Sequence, residues 1–245
     1  MRQFASALNI GAIRASNQDQ VLISHHDELD LMLVCDGMGG ANAGDVASRM
    51  CVESLQQQFL NTSFLKKDVN TLKEWIVSAL KQANLSVLQA ALDQPNYFGM
   101  GTTAVMALCT KESIIIANVG DSRAYALKNE KLIQISQDHS LVNQWIQEGK
   151  MSVEEAKRHP QRSVLTNVLG VSEEMRIDLF ECDINNDYLL ICSDGVTGML
   201  EDAQIEAIIL KGGSTSQIAK RIEKAALSLG GYDNIALALM SEDHS

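Results

Sequence analysis

Apolar residues recur along this chain at two spacings, and the switch between them marks its elements. Short apolar runs bounded by polar or glycine-containing joins predict strands at 4–10, 21–24 and 29–35, then at 102–109, 113–119, 122–127 and 131–135. The joins Thr110-Lys111-Glu112, Gly120-Asp121 and Lys128-Asn129-Glu130 are of hairpin length, which predicts antiparallel pairing and argues against a wound parallel sheet. Between the groups the spacing becomes helical. Val46, Ala47, Met50, Cys51, Leu55 and Phe59 form one stripe over 45–59; Val69, Leu72, Ile76, Ala79, Leu80, Ala83, Val87 and Ala91 form another over 68–92. A third helix is expected at 215–229, stopped by Gly230-Gly231 before a strand at 234–240. Helices with one dry face and antiparallel strands predict an α+β layered sandwich with the helices outside.

The pattern breaks between Gln137 and Gly170, a polar stretch with two short helices expected at 140–148 and 153–159. It reads either as a surface excursion or as a flap beside a site, because loops on a rigid scaffold often shape access. No linker composition or internal repeat divides the 245 residues, so one domain over 1–245 is expected.

The formal charge of −11 argues against nucleic acid as a partner, since a phosphate backbone demands clustered Lys and Arg. The apolar runs are too short to span a bilayer. Residues 1–10 lack a charged start followed by an apolar core and a cleavage site, so a cytoplasmic protein is expected. The five cysteines form no C-x-x-C pair, which predicts buried, reduced thiols.

Candidate chemistry lies where strands end. Apolar runs lead into Asp36-Gly37, Asp194-Gly195 and Asp233-Asn234. One Asp-Gly is usually only a turn. Repetition of the pattern, with Arg14 upstream, predicts carboxylates delivered to a hard-oxygen metal site and hence a metal-dependent hydrolase rather than a binding module. Oxygen ligands without a Cys/His cluster suit Mg²⁺ or Mn²⁺ and not zinc. Two such ions can hold a bridging hydroxide for in-line displacement at phosphorus, and Arg14 would bind phosphoryl oxygens as a planar fork.

Gly11-x-x-Arg14-x-x-Asn17-Gln18-Asp19, Asp36-Gly37-Met38-Gly39-Gly40, Gly99-Met100-Gly101-Thr102-Thr103, Asn118-Val119-Gly120-Asp121-Ser122-Arg123, Asp138-His139-Ser140, His159-Pro160-Gln161-Arg162, Leu165-Thr166-Asn167-x-Leu169-Gly170, Cys192-Ser193-Asp194-Gly195 and Asp233-Asn234 occur in this order over almost the whole chain. Together they resemble the bacterial branch of the PP2C-type (PPM) metal-dependent serine/threonine protein phosphatases. The resemblance implies a four-layer α/β/β/α sandwich, two antiparallel sheets flanked by helices with a small helical flap, and a centre of two Mn²⁺ or Mg²⁺ ions, with a position for a third. Carried over by position, Asp36 bridges both ions, the Gly37 carbonyl ligates one, and Asp194 and Asp233 ligate the other. Asp121, with Asp194, takes the third and weaker ion. Arg14 grips the substrate phosphate, Asp19 stands just beyond the ligands, and Asn234 orients Asp233. The 137–170 stretch matches the flap.

Two departures matter. Gln18 stands where many members have a Glu that holds a metal-bound water, so one metal site could be weaker. Met38 stands where animal members have a His proposed as general acid, which leaves leaving-group protonation to a metal-bound water or, as weaker candidates, to His139 or His159. The implied reaction is hydrolysis of phosphoserine and phosphothreonine esters by direct attack of a metal-bridging water, opposing a Ser/Thr kinase. A catalytically dead phosphoprotein binder and a phosphatase for small metabolites are the rival readings. Oligomeric state is not legible.

Overall fold

Alternation along one central strand decides the layering. The computed structural model describes residues 2–64, 68–182 and 187–242. In strand β3 (Leu29–Met38), Leu31, Leu33 and Cys35 face one way and Met32 and Val34 the other, and all are buried. A strand buried on both faces must sit in an inner layer.

Two sheets supply the inner layers. One runs β2 (Asp19–His26), β3, β5 (Ala104–Cys109), β6 (Ile114–Val119), β9 (Asp178–Cys182), with β4 (Gly101–Thr102) paired to the end of β3. The other runs β1 (Arg2–Asn9), β11 (Ile235–Glu242), β10 (Tyr188–Cys192), β7 (Arg123–Lys128), β8 (Lys131–Gln134). Every pairing is antiparallel. Met32, Val34 and Val105 of the first sheet meet Ile191, Ala236 and Ala238 of the second in the central core.

Helices close the outer faces. The long helices α1 (Gly40–Asn61) and α2 (Val69–Asp93) cover the first sheet, where Leu55, Phe59, Leu72 and Ile76 pack on Leu31, Leu33, Met106 and Leu108. On the second sheet, α6 (Asp202–Leu210) and α7 (Thr215–Ser228) set Ile205, Ile209, Ile218 and Ile222 against Leu190, Leu237 and Leu239. The four-layer sandwich expected from the sequence is the observed fold. All five cysteines are buried and free.

Two details differ from expectation. Gly120-Asp121 is not a hairpin: β6 and β7 lie in different sheets, so the three-residue join Gly120-Asp121-Ser122 carries the chain across the sandwich. Gly120, at φ +106°, makes that turn. The other joins do behave as hairpins, Asn129 and Glu130 both adopting positive φ between β7 and β8. Strand β9 and helix α6 were not foreseen. β9 is a half-exposed edge strand without clean alternation, and α6 carries only a short stripe, Ile205, Ile208 and Ile209.

The expected insertion forms α3 (Leu141–Gln147) and α4 (Val153–Arg158), each capped by the serine before it, Ser140 and Ser152. It is tied to the body at both ends. The His139 N–H donates to the Gly120 carbonyl at 2.9 Å, and Leu169 exchanges backbone hydrogen bonds with Thr102 at 2.9 and 3.0 Å.

Candidate active site

The carboxylates arrive from strand ends of both sheets. Asp36 lies near the end of β3 and pairs in register with Asp19, the first residue of β2. Its backbone is held from three sides. The Asp36 N–H donates to Thr103 Oγ1 at 3.0 Å, and the Asp36 carbonyl accepts from the Thr102 hydroxyl at 3.0 Å and from the Thr103 N–H at 2.8 Å. Next along, the Gly37 N–H donates to the Gln18 carbonyl at 3.0 Å, while a Cβ at Gly37 would overlap the Gly44 carbonyl of α1. Only glycine lets strand and helix approach so closely there.

From the second sheet, β10 ends at Cys192 and the chain enters the one-turn helix α5 (Asp194–Thr197) on Asp194. Ser193 ties the two sheets together: its hydroxyl donates to Asp19 Oδ2 at 2.7 Å and accepts from the Ala236 N–H at 3.0 Å. Asp233 precedes β11. Its Oδ1 accepts from the Asn234 N–H at 2.8 Å and its Oδ2 from the Arg14 guanidinium at 2.7 Å. The Asn234 side chain is turned elsewhere, donating to the carbonyls of Ile10 and Ser16 at 2.8 and 3.0 Å and accepting from the Gln18 N–H at 2.8 Å. Asn234 thus orients Asp233 through its backbone, and its amide fastens the loop that carries Arg14.

Arg14, Gln18, Asp36, Gly37, Asp121, Asp194, Asp233 and Asn234 line one cavity of about 380 Å³. Asp19 lies behind it, buried between Asp36 and Ser193. Burial and mutual repulsion make this a poor place for bare carboxylates. Burial first, then Asp19 and Asp194, push the Asp36 carboxyl well above the usual carboxylate range. Burial and then Asp194 do the same to Asp121, and burial and then Asp233 raise Asp194. Asp19 is raised to about 7, mainly by burial, with the Ser193 hydroxyl opposing.

Among the described residues Arg14 is the sole Lys or Arg on the cavity wall. Crowded acids of this kind and a carbonyl, with no Cys or His among the lining residues, are a hard-oxygen donor set fitting a divalent cation such as Mg²⁺ or Mn²⁺. Among the described residues no three His, Cys, Asp or Glu side chains close around a single point. A cation here would complete its coordination with water, as Mg²⁺ does.

The two histidines do not join the site. Buried His139 accepts at Nδ1 from the Gly120 N–H at 3.1 Å and contacts the Asn167 amide at 2.8 Å, while Nε2 lies 3.3 Å from Asp178 Oδ2. Burial lowers its pKa, with Asp178 opposing. It therefore braces the flap. His159 packs edge-on to Trp145, ring centroids 5.2 Å apart. Sequence reasoning missed Ser163 and Leu165, which the flap places on the cavity wall. Neither carries a chemical signature of its own, but their position selects the flap reading over a surface excursion.

Comparison with known proteins gives a consistent picture. The family model described as Protein phosphatase 2C matches residues 13–225. The serine/threonine phosphatase stp of Listeria monocytogenes is 36% identical over 235 residues, 95% of this chain and 93% of that protein. Protein phosphatase PhpP of Streptococcus pneumoniae is 33% identical over 237 residues, covering 95% and 94%. Among solved structures, the serine/threonine phosphatase Stp1 from Staphylococcus aureus superposes with a TM-score of 0.94 at 34% identity, covering 99% of this chain and 96% of that one. The Mycobacterium tuberculosis serine/threonine phosphatase PstP/Ppp gives 0.88 at 29% identity, covering 99% of each.

Proposed function

Because this chain belongs to the protein phosphatase 2C family and is a phosphoprotein phosphatase, we propose that its acidic cavity hydrolyses phosphoserine and phosphothreonine esters of proteins. One observation carries the assignment of the site: Asp36, Asp121, Asp194 and Asp233, far apart in the chain, line one cavity with Arg14. Asp36, the Gly37 carbonyl, Asp194 and Asp233 would hold two Mn²⁺ or Mg²⁺ ions, with Asp121 and Asp194 contributing to a third. Bound there, such ions polarise phosphoryl oxygens and lower the pKa of water. Gln18 adds an amide rather than a charge to this wall, so the cations rely on the aspartates for neutralisation.

The side chains supply the remaining parts. Arg14 already points its guanidinium at Asp233 and offers further N–H donors that can bind phosphoryl oxygens as a fork. Asn234 fixes the backbone that carries Asp233, and Asp19, paired across the strands with Asp36, ties that strand end to Ser193. Among the described residues no histidine lines the cavity to activate Ser163 or to protonate the leaving oxygen, which fits direct attack by water and a proton delivered by water. The flap, through Ser163 and Leu165, narrows the entrance. Residues 1–245 act as one phosphatase domain on this reading. Among the described residues no helix is long and apolar enough to cross a membrane, and we place the activity in the cytoplasm, opposing a Ser/Thr kinase.

The test is phosphate release from phosphoserine, phosphothreonine and phosphotyrosine peptides and a panel of phosphometabolites, with Mn²⁺ or Mg²⁺ and with EDTA. Cation-dependent turnover of the first two peptide classes is expected. Turnover confined to metabolites, or unaffected by EDTA, would overturn the reading.

A further inference from the structure

We propose that Ile13 and Tyr232 form a peptide-reading lip on the cavity, selecting substrates with an apolar residue beside the phosphorylated one; this rests on the protein-phosphatase reading above. Ile13 immediately precedes Arg14 and Tyr232 immediately precedes Asp233. The 2.7 Å contact between Arg14 and Asp233 brings the two loops that carry them together. Both are conspicuously wet: Ile13 is 67% exposed and Tyr232 62%, two of the four most exposed large apolar side chains among the described residues. Scattered exposed hydrophobes need no explanation, but two on joined loops, each next in the chain to a residue that lines the reactive cavity, mark a contact surface.

The exposure is held in place by the backbone. The Ala12 N–H donates to the Gly231 carbonyl at 2.8 Å, locking the two loops together. Gly11, at φ +81°, lies so close that a Cβ there would overlap the Asp233 carbonyl. The Asn234 amide pins the same loop through Ile10 and Ser16. On the flap, exposed Val164 stands next in the chain to Leu165, which lies on the cavity wall.

The occupant follows from the chemistry of the ester. A phosphoserine side chain is short, so when its phosphate reaches Arg14 its main chain stays at the rim. Consecutive Cα atoms lie only about 3.8 Å apart, which brings a flanking side chain onto the lip. An acidic flanking residue would add negative charge to the surface of a chain of charge −11, whereas an apolar one would bury surface against Ile13 and Tyr232.

The experiment measures kcat/KM for a phosphothreonine peptide series with Leu, Phe, Gly or Asp beside the phosphoresidue, each divided by kcat/KM for p-nitrophenyl phosphate. The unaltered protein should favour Leu and Phe over Asp by about tenfold, mostly through KM. Ile13→Ser with Tyr232→Ser should flatten the series, and Tyr232→Phe, which keeps the ring, should preserve it. A flat series in the unaltered protein, or a preference surviving the double substitution, would overturn the lip. Failure of the phosphatase reading looks different: p-nitrophenyl phosphate would be turned over and no phosphopeptide would be.

Discussion

Asp36, Asp194 and Asp233 are held by bonds to their backbones or carboxylates rather than by packing around a large side chain, so each can be changed with little loss of structure. Asp36→Asn, Asp194→Asn or Asp233→Asn should abolish Mn²⁺-dependent turnover of p-nitrophenyl phosphate. With the cation chelated, Asp36→Asn and Asp194→Asn should melt no lower than the parent, because a repelling charge is gone, whereas Asp233→Asn also gives up its ion pair with Arg14; full activity in any one would remove that residue from the cation site. Asp19 makes a separate prediction. Its carboxyl shifts from 3.8 to about 7 on folding. Between about pH 4 and pH 7 the folded chain therefore binds the extra proton, and Asp19 contributes a loss of stability as pH rises through that window. In EDTA, urea midpoints should fall less steeply over this range for Asp19→Asn than for the parent; parallel profiles would refute the shift. The aspartates beside Gly or Asn were legible because apolar runs deliver them. What Asn234 grips was not, since its partners Ile10 and Ser16 lie on the far side of the sequence.

Strands and helices that stripe cleanly were legible for the same physical reason: burying one face demands a period. Strand β9 escaped because an edge strand needs only partial burial, and Asp178, Leu179, Phe180 and Glu181 give no alternation. The hairpin reading of Gly120-Asp121 failed because loop length limits how far a chain can go and says nothing about which sheet it enters. Glycines at element junctions carry a prediction of their own. A Cβ at Gly195 would overlap the Asn234 carbonyl where α5 meets β11. Gly195→Ala should cost about 1–3 kcal/mol in chemical denaturation, with turnover falling as the Asp194 and Asp233 loops are pushed apart. An unchanged midpoint would show that this junction has slack.

The fold class was readable from the order of its elements, whereas the meeting of the two sheets at one acidic cavity was an expectation drawn from family resemblance. That meeting predicts linkage between cation binding and folding. A cation that binds only the folded chain stabilises it by about 2.7 kcal/mol at a concentration one hundred times its Kd. Titrating Mn²⁺ should therefore raise the melting temperature of the parent progressively, and Asp36→Asn should blunt the rise. A melting temperature indifferent to Mn²⁺ would mean that the carboxylates do not act together.

Asp36 belongs to one sheet and Asp194 and Asp233 flank strands of the other. An ion bridging them would fasten the sandwich along its open seam, like a buckle. Sliding the sheets past each other would then tear the buckle before it disturbed either sheet's own ladder. Mechanical resistance and catalytic competence would be lost in the same event.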